Sequence, residues 1–165
     1  NLNWKITLVD TGLNTLKGGR IKRVEKYMDT EINMITYGDG LSNINISDLV
    51  SFHKKHGKII TITGVRPPAR FGEIIEDNGH VISFEEKPQT SMGLINGGFM
   101  VFNKELFNYL NNRDDCDFEF GVLDKLSKEG NVMVYKHAGE WECMDHERDV
   151  EHLNRLWDNK KAFWV

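Results

Sequence analysis

The sequence predicts an α/β domain with a mixed, mostly parallel sheet flanked by helices, and three observations predict it. Short apolar runs that stop at glycine or proline alternate with segments whose apolar residues recur every three or four positions. An Asn-Gly pair between two strand-like runs, Asn78-Gly79, adds an antiparallel hairpin to the crossover units. The 165 residues, 39% hydrophobic and 28% charged, suit one globular domain over 1–165.

Element by element, Trp4 to Asp10 reads as a strand and Thr11 to Gly19 as a polar loop punctuated by Gly12, Gly18 and Gly19. Ile21, Val24 and Met28 then form the apolar stripe of a helix, leaving Arg20, Lys22, Arg23 and Lys26 outward. Ile32 to Tyr37 is a short apolar strand that ends at Gly38, as buried parallel strands do. Asn45 or Ser47 caps a helix that runs to His56 and stops at Gly57. Lys58 to Val65 is a strand closed by Pro67 and Pro68, and Asn78-Gly79 joins the hairpin that follows. Leu94 to Phe102 is a further strand, and a short helix lies near Lys104 to Leu110. Asp117 caps a helix carrying Phe118, Val122, Leu123 and Leu126, which Gly130 ends. Val132 to Lys136 is a strand, and His146 to Asn159 is a helix with Val150, Leu153, Leu156 and Trp157 on its apolar side.

Composition removes several classes of function. Twenty-one Lys plus Arg against 25 Asp plus Glu give a net charge of −4 with the cations scattered, so nucleic acid is not an expected partner. No run of about 18 apolar residues and no secretion leader occurs, so a cytoplasmic protein without a membrane partner is expected. Cys116 and Cys143 stand far apart without metal-site spacing and read as two reduced thiols. Neither G-x-S-x-G nor a P-loop is found, which removes triad hydrolases and P-loop NTPases. His53 and His56 share a helix face without a third ligand, and the six histidines are expected on the surface or as caps.

Ligands of α/β sheets bind beyond the strand ends, and several residues there could carry chemistry. Asp39, between Gly38 and Gly40 at a strand exit, suits a hard cation such as Mg2+, though Gly-Asp-Gly is also ordinary turn chemistry. Asp145 immediately precedes the last helix, where it either caps that helix or supplies a second metal carboxylate. Lys87 could reach a phosphate and Glu86 could accept sugar hydroxyls, or both are a solvated strand end. Gly18-Gly19-Arg20 offers unpaired N–H groups and a guanidinium to an anion. Asn96-Gly97-Gly98 suits close approach of a sugar, or a β-bulge.

Taken in order, Val9-Asp10-Thr11-Gly12, the segment from Gly18 to Arg23, Tyr37 to Gly40, Arg70 to Glu73, Phe84 to Pro88, Ile95 to Asn103 and Met144 to Asp149 resemble the glucose-1-phosphate cytidylyltransferase family of sugar nucleotidyltransferases. The resemblance runs over essentially the whole chain. It implies a Rossmann-like nucleotidyltransferase fold and the reaction of CTP with α-D-glucose 1-phosphate to give CDP-glucose and pyrophosphate. It also implies Mg2+ held by Asp39 and Asp145, and nucleotide contacts from Thr15, Arg20 and Gly38. Glu86, Lys87, Asn96 and Gly97 fall on the sugar-phosphate side, with Lys87 next to the reacting phosphate. Family context adds a homo-oligomer and a role in nucleotide-sugar supply for bacterial surface polysaccharide such as O-antigen.

The family's G-G-x-G-T-R-L loop and P-K-P-M segment, which cradle the triphosphate, do not occur in this sequence. The chain therefore reads as the carboxyl-terminal part of such an enzyme, truncated at the N-terminus and inactive or nearly so alone. Three other readings stand beside this one: a thymidylyl- or uridylyltransferase, a metal-dependent glycosyltransferase, which would show Asp-x-Asp, and a non-catalytic sugar-phosphate binding module.

Overall fold

The computed structural model describes residues 3–66, 73–85 and 93–165. Its architecture is mixed α/β, with helices flanking a four-stranded sheet in the order β1-β6-β3-β7. These strands are Ile32–Ile35 (β1), Ile60–Val65 (β3), Ile95–Asn103 (β6) and Val132–Lys136 (β7). Neighbours in the sheet are not neighbours in sequence, so crossovers connect them, as the alternating apolar runs predict. In β6, Met100, Val101 and Phe102 are all fully buried, and such an unbroken buried run belongs to a strand covered on both faces.

The helices begin where the capping chemistry places them. The Asn45 Oδ1 accepts from the backbone N–H groups of Ser47 and Asp48, starting α2 (Ile46–His56), and Gly57 takes φ +65° just beyond its end. The Asp117 carboxylate accepts from the Phe120 N–H at 2.6 Å and opens a π-helical turn, Phe118–Leu123, that runs into α3, Asp124–Lys128. Helix α4 spans Glu147–Asp158. The hairpin is β4, Glu73–Asp77, against β5, His80–Glu85. Asp77 pairs with His80 across Asn78 (φ +49°) and Gly79 (φ +82°), the left-handed pair that a type I′ turn requires.

The chain divides into two compact units. Residues 1–33, 57–60 and 102–133 make the first, whose core holds Phe102, Leu106, Phe107, Phe118 and Leu126. Residues 34–56, 61–101 and 134–165 make the second, with Leu49, Val65, Met100, Val101 and Leu153 buried.

Three expectations need correction, and two strands were not foreseen. Residues 4–10 form no strand: Trp4 is 72% and Leu8 93% exposed, because β-propensity makes a strand only where a neighbour takes up its hydrogen bonds. Helix α1, Lys17–Val24, starts earlier than its apolar stripe predicts and includes Gly18 and Gly19. His53 is 1% exposed rather than on the surface, its Nδ1 within 2.8 Å of the Thr61 hydroxyl, which also meets the His56 Nε2 at 2.7 Å. Two three-residue strands, Gly40–Ser42 (β2) and Trp141–Cys143 (β8), have no signature in the periodicity. No described helix is long and apolar enough to cross a membrane, and both cysteines are free thiols.

Candidate active site

The site is built on the antiparallel pair β2 and β8 in the second unit, with register Gly40↔Cys143, Leu41↔Glu142 and Ser42↔Trp141. One further bond, from the Met144 N–H to the Asp39 carbonyl at 2.9 Å, carries the ladder to its end. Asp39 and Asp145 therefore leave the same end of one two-stranded ribbon although they lie far apart in sequence. Among the described residues neither enters an ion pair.

Asp145 does not cap α4. His146 occupies the N-cap position, and the Asp149 carboxylate reaches back to accept from the His146 N–H at 3.0 Å. Asp145 instead accepts from the Cys143 thiol, Sγ to Oδ2 3.1 Å. Burial first, then that hydrogen bond and the charges of Asp145, Asp149 and Asp39, push the Cys143 thiol up to about 11. The thiol stays protonated as a donor.

Two carboxylates fit Mg2+, which takes one or two protein oxygens and completes its shell with water and substrate phosphate. Among the described residues no group of three or more His, Cys, Asp or Glu side chains could hold a metal ion.

Beside the ribbon, the segment Asn96-Gly97-Gly98 of β6 is fixed at each residue. The Asn96 Oδ1 accepts from the Gly98 N–H at 3.0 Å, and its Nδ2 donates to the Tyr37 hydroxyl at 3.3 Å. The Gly97 carbonyl accepts from the Trp141 indole Nε1 at 2.8 Å. A methyl group at Gly97 would lie 2.7 Å from Val65 Cγ1, and Gly98 has φ +85° with the Tyr37 ring against it, so neither position admits a side chain. Gly38, by contrast, opens onto free space.

Thr15 and Arg20 lie in the first unit and hold its loop. Thr15, 4% exposed, donates to Asp114 Oδ1 at 2.7 Å and accepts from Arg23 Nη1 at 2.6 Å. Arg20 donates to the Thr15 carbonyl, the Thr11 hydroxyl and the Leu13 carbonyl. The hydrogen bond from Thr15 and the Arg23 guanidinium hold the Asp114 carboxyl below its usual range. Gly18 and Gly19 are packing residues: a methyl at Gly19 would sit 2.5 Å from the Arg113 carbonyl, and one at Gly18 would sit 2.7 Å from that of Cys116. The Gly19 N–H donates to Cys116 O, so this helix start is already occupied by protein, against the reading of Gly18-Gly19 as open to an anion.

The nucleotidyl transferase family model matches residues 4–162. The chain belongs to the nucleotidyl transferase family. Among its relatives, glucose-1-phosphate cytidylyltransferase of Salmonella typhi is 43% identical over 162 residues, which is 98% of this chain and 63% of the relative. A probable glucose-1-phosphate cytidylyltransferase of Bacillus subtilis (strain 168) is 38% identical over 161 residues, again 98% of this chain and 63% of the relative. This nucleotidyl transferase chain thus spans less than two thirds of the length of those relatives. Two solved structures share its fold. HddC from Yersinia pseudotuberculosis has TM-score 0.62 at 21% identity, over 86% of this chain and 62% of that one. The inositol-1-phosphate CTP transferase from T. maritima has TM-score 0.60 at 15% identity, over 91% and 63%.

In this nucleotidyl transferase, Glu86, Lys87 and residues 70–72 lie outside the described residues. Sequence reasoning did not single out Trp141 or the Cys143 thiol. An aromatic two residues before Cys143-Met144-Asp145 was visible, but only the ladder register shows that its indole reaches Gly97.

Proposed function

We propose that this chain carries the cation-binding and sugar-binding part of a glucose-1-phosphate cytidylyltransferase. The β2/β8 ribbon is the observation behind the reading, since it delivers Asp39 and Asp145 to one end, next to the Asn96-Gly98 segment. The Salmonella and Bacillus relatives supply the cytidylyl assignment. In this reading a phosphate oxygen of glucose 1-phosphate attacks the α-phosphorus of CTP in line. The new P–O bond forms as the bond to the β-phosphate oxygen breaks, and pyrophosphate leaves with that electron pair. Mg2+ bound by Asp39 and Asp145 would offset charge on the transferring and departing phosphates. Asn96 and Gly97 line the glucose, Glu86 binds its hydroxyls and Lys87 its phosphate. Gly38 contacts the nucleotide, and Thr15 and Arg20 act on it indirectly, by holding the 11–15 loop in shape. Positioning and electrostatics carry the catalysis, with no covalent intermediate.

Since the glycine-rich phosphate loop of the family does not occur in this sequence, the chain alone turns over slowly or not at all. The test is pyrophosphate release with glucose 1-phosphate, Mg2+ and each of CTP, UTP and dTTP. It is run on the chain alone and on the chain joined to a segment bearing that loop, with Asp39→Asn as control. The expected result is release by the joined form with CTP, abolished in the variant. Preference for UTP or dTTP overturns the base assignment, and silence with all three overturns the transferase reading. Release by the chain alone at the rate of the Salmonella relative overturns its dependence on the loop.

A further inference from the structure

The two ends of the candidate site are mechanically linked. Trp141 and Ser42 are directly opposed in the ribbon, so Trp141 shares a face with Gly40 and Cys143. Its indole passes over Gly40 to the Gly97 carbonyl: a methyl group built on Gly40 would lie 3.7 Å from both the carbonyl oxygen and the indole nitrogen. From the other side Tyr37, two residues before Asp39, places its hydroxyl against the Asn96 amide and its ring against Gly98. Val65 blocks retreat of Gly97 behind.

The Asn96 side chain remains exposed. An amide has two N–H donors and two acceptor lone pairs, and the internal bonds engage one of each. One donor and one acceptor are thus left unengaged on an exposed side chain that cannot turn without breaking two bonds. That is the arrangement that binds a hydroxyl pair at low ordering cost.

We propose that Trp141 and Tyr37 are positioning residues, which hold Asn96-Gly97-Gly98 as a preformed wall for the glucose of glucose 1-phosphate. The segments that carry Asp39 and Asp145 thereby also set the place of the sugar. This inference rests on the sugar reading of Asn96 and Gly97 given above.

The experiment is calorimetric titration of the chain with glucose 1-phosphate, and separately with Mn2+, for the unchanged protein, Trp141→Phe and Tyr37→Phe. Far-UV circular dichroism melts monitor folding. Loss of the indole donor is expected to weaken glucose 1-phosphate about tenfold, and loss of the tyrosine hydroxyl about threefold, the range of single hydrogen bonds. Mn2+ affinity is expected to stay within about twofold, because neither variant touches a carboxylate. Sugar affinity unchanged in both variants overturns the inference while leaving the sugar reading intact. An equal loss of sugar and Mn2+ affinity in Trp141→Phe overturns the positioning role by showing a general loss of the ribbon. Absence of glucose 1-phosphate binding by the unchanged chain overturns the sugar reading and the inference together. Should Trp141→Phe fail to fold, Tyr37→Phe, which removes one oxygen atom, decides the matter by the same criterion.

Discussion

In the segment 10–23, Thr15, Arg20 and Arg23 are each held by several hydrogen bonds within the protein, whereas among the described residues the two carboxylates at the end of the β2/β8 ribbon enter no ion pair. Arg20 and Arg23 each make several hydrogen bonds, Thr15 is enclosed between Arg23 and Asp114, and the start of α1 is bonded to Cys116. At the ribbon, Asp145 accepts from the Cys143 thiol, and among the described residues neither it nor Asp39 is in an ion pair. Multiple internal bonds of this kind mark scaffold, because the groups that make them hold the loop in place. Carboxylates outside any described ion pair keep oxygen lone pairs available, which is what the proposed Mg2+ role of Asp39 and Asp145 requires.

Mutations can break this contrast. Asp39→Asn is expected to lower Mn2+ affinity by more than roughly 100-fold, beyond the cost of losing an outer-shell partner, while the melting temperature holds or rises. A large fall in melting temperature together with unchanged Mn2+ binding would mean that Asp39 is structural after all. Gly19→Ala should act in the opposite sense. The added methyl meets the Arg113 carbonyl and the Thr15 methyl, so stability should drop by about 2 kcal/mol in a urea titration despite the better helix propensity of alanine. Mn2+ affinity should not move. A neutral or stabilising outcome would remove the packing role of the glycine pair.

The smallest effect expected is the pH dependence of Asp114. Its folded-state pKa is depressed, first by the Thr15 hydrogen bond and then by Arg23. Its contribution to stability is therefore present above the unfolded value of about 3.9 and is lost as pH falls through the folded one. Unchanged protein should melt slightly above Asp114→Asn at pH 7, and the gap should shrink as pH falls below the unfolded value of about 3.9 and through the lower folded one. A gap that is constant with pH would show that the carboxylate charge contributes nothing.

How much of this was legible beforehand depended on the range of the signal. Asn45, Asp117 and the Asn78-Gly79 pair act within three or four residues of themselves, so capping and turn chemistry located α2, the turn into α3 and the hairpin. The pairing partner of β2 lies in the last quarter of the chain, and three residues are too few to display a period. The same limit misplaced the strand at residues 4–10, whose composition is right but which meets no neighbour among the described residues. Gly18-Gly19-Arg20 read as an anion site because its glycines look alike whether a phosphate or the carbonyls of Arg113 and Cys116 approach them.

By itself, then, the sequence determined the α/β class, most helix and strand positions, and the residue types able to bind a cation and a sugar, because periodicity, caps and turns are local properties. Only the tertiary structure decided that Asp145 does not cap α4 and that it leaves the ribbon beside Asp39. It also decided that Trp141 reaches Gly97 and that Arg20 is spent on its own loop. Those outcomes depend on which distant segment supplies the partner for each hydrogen bond, and that choice is made by the packing of the whole chain.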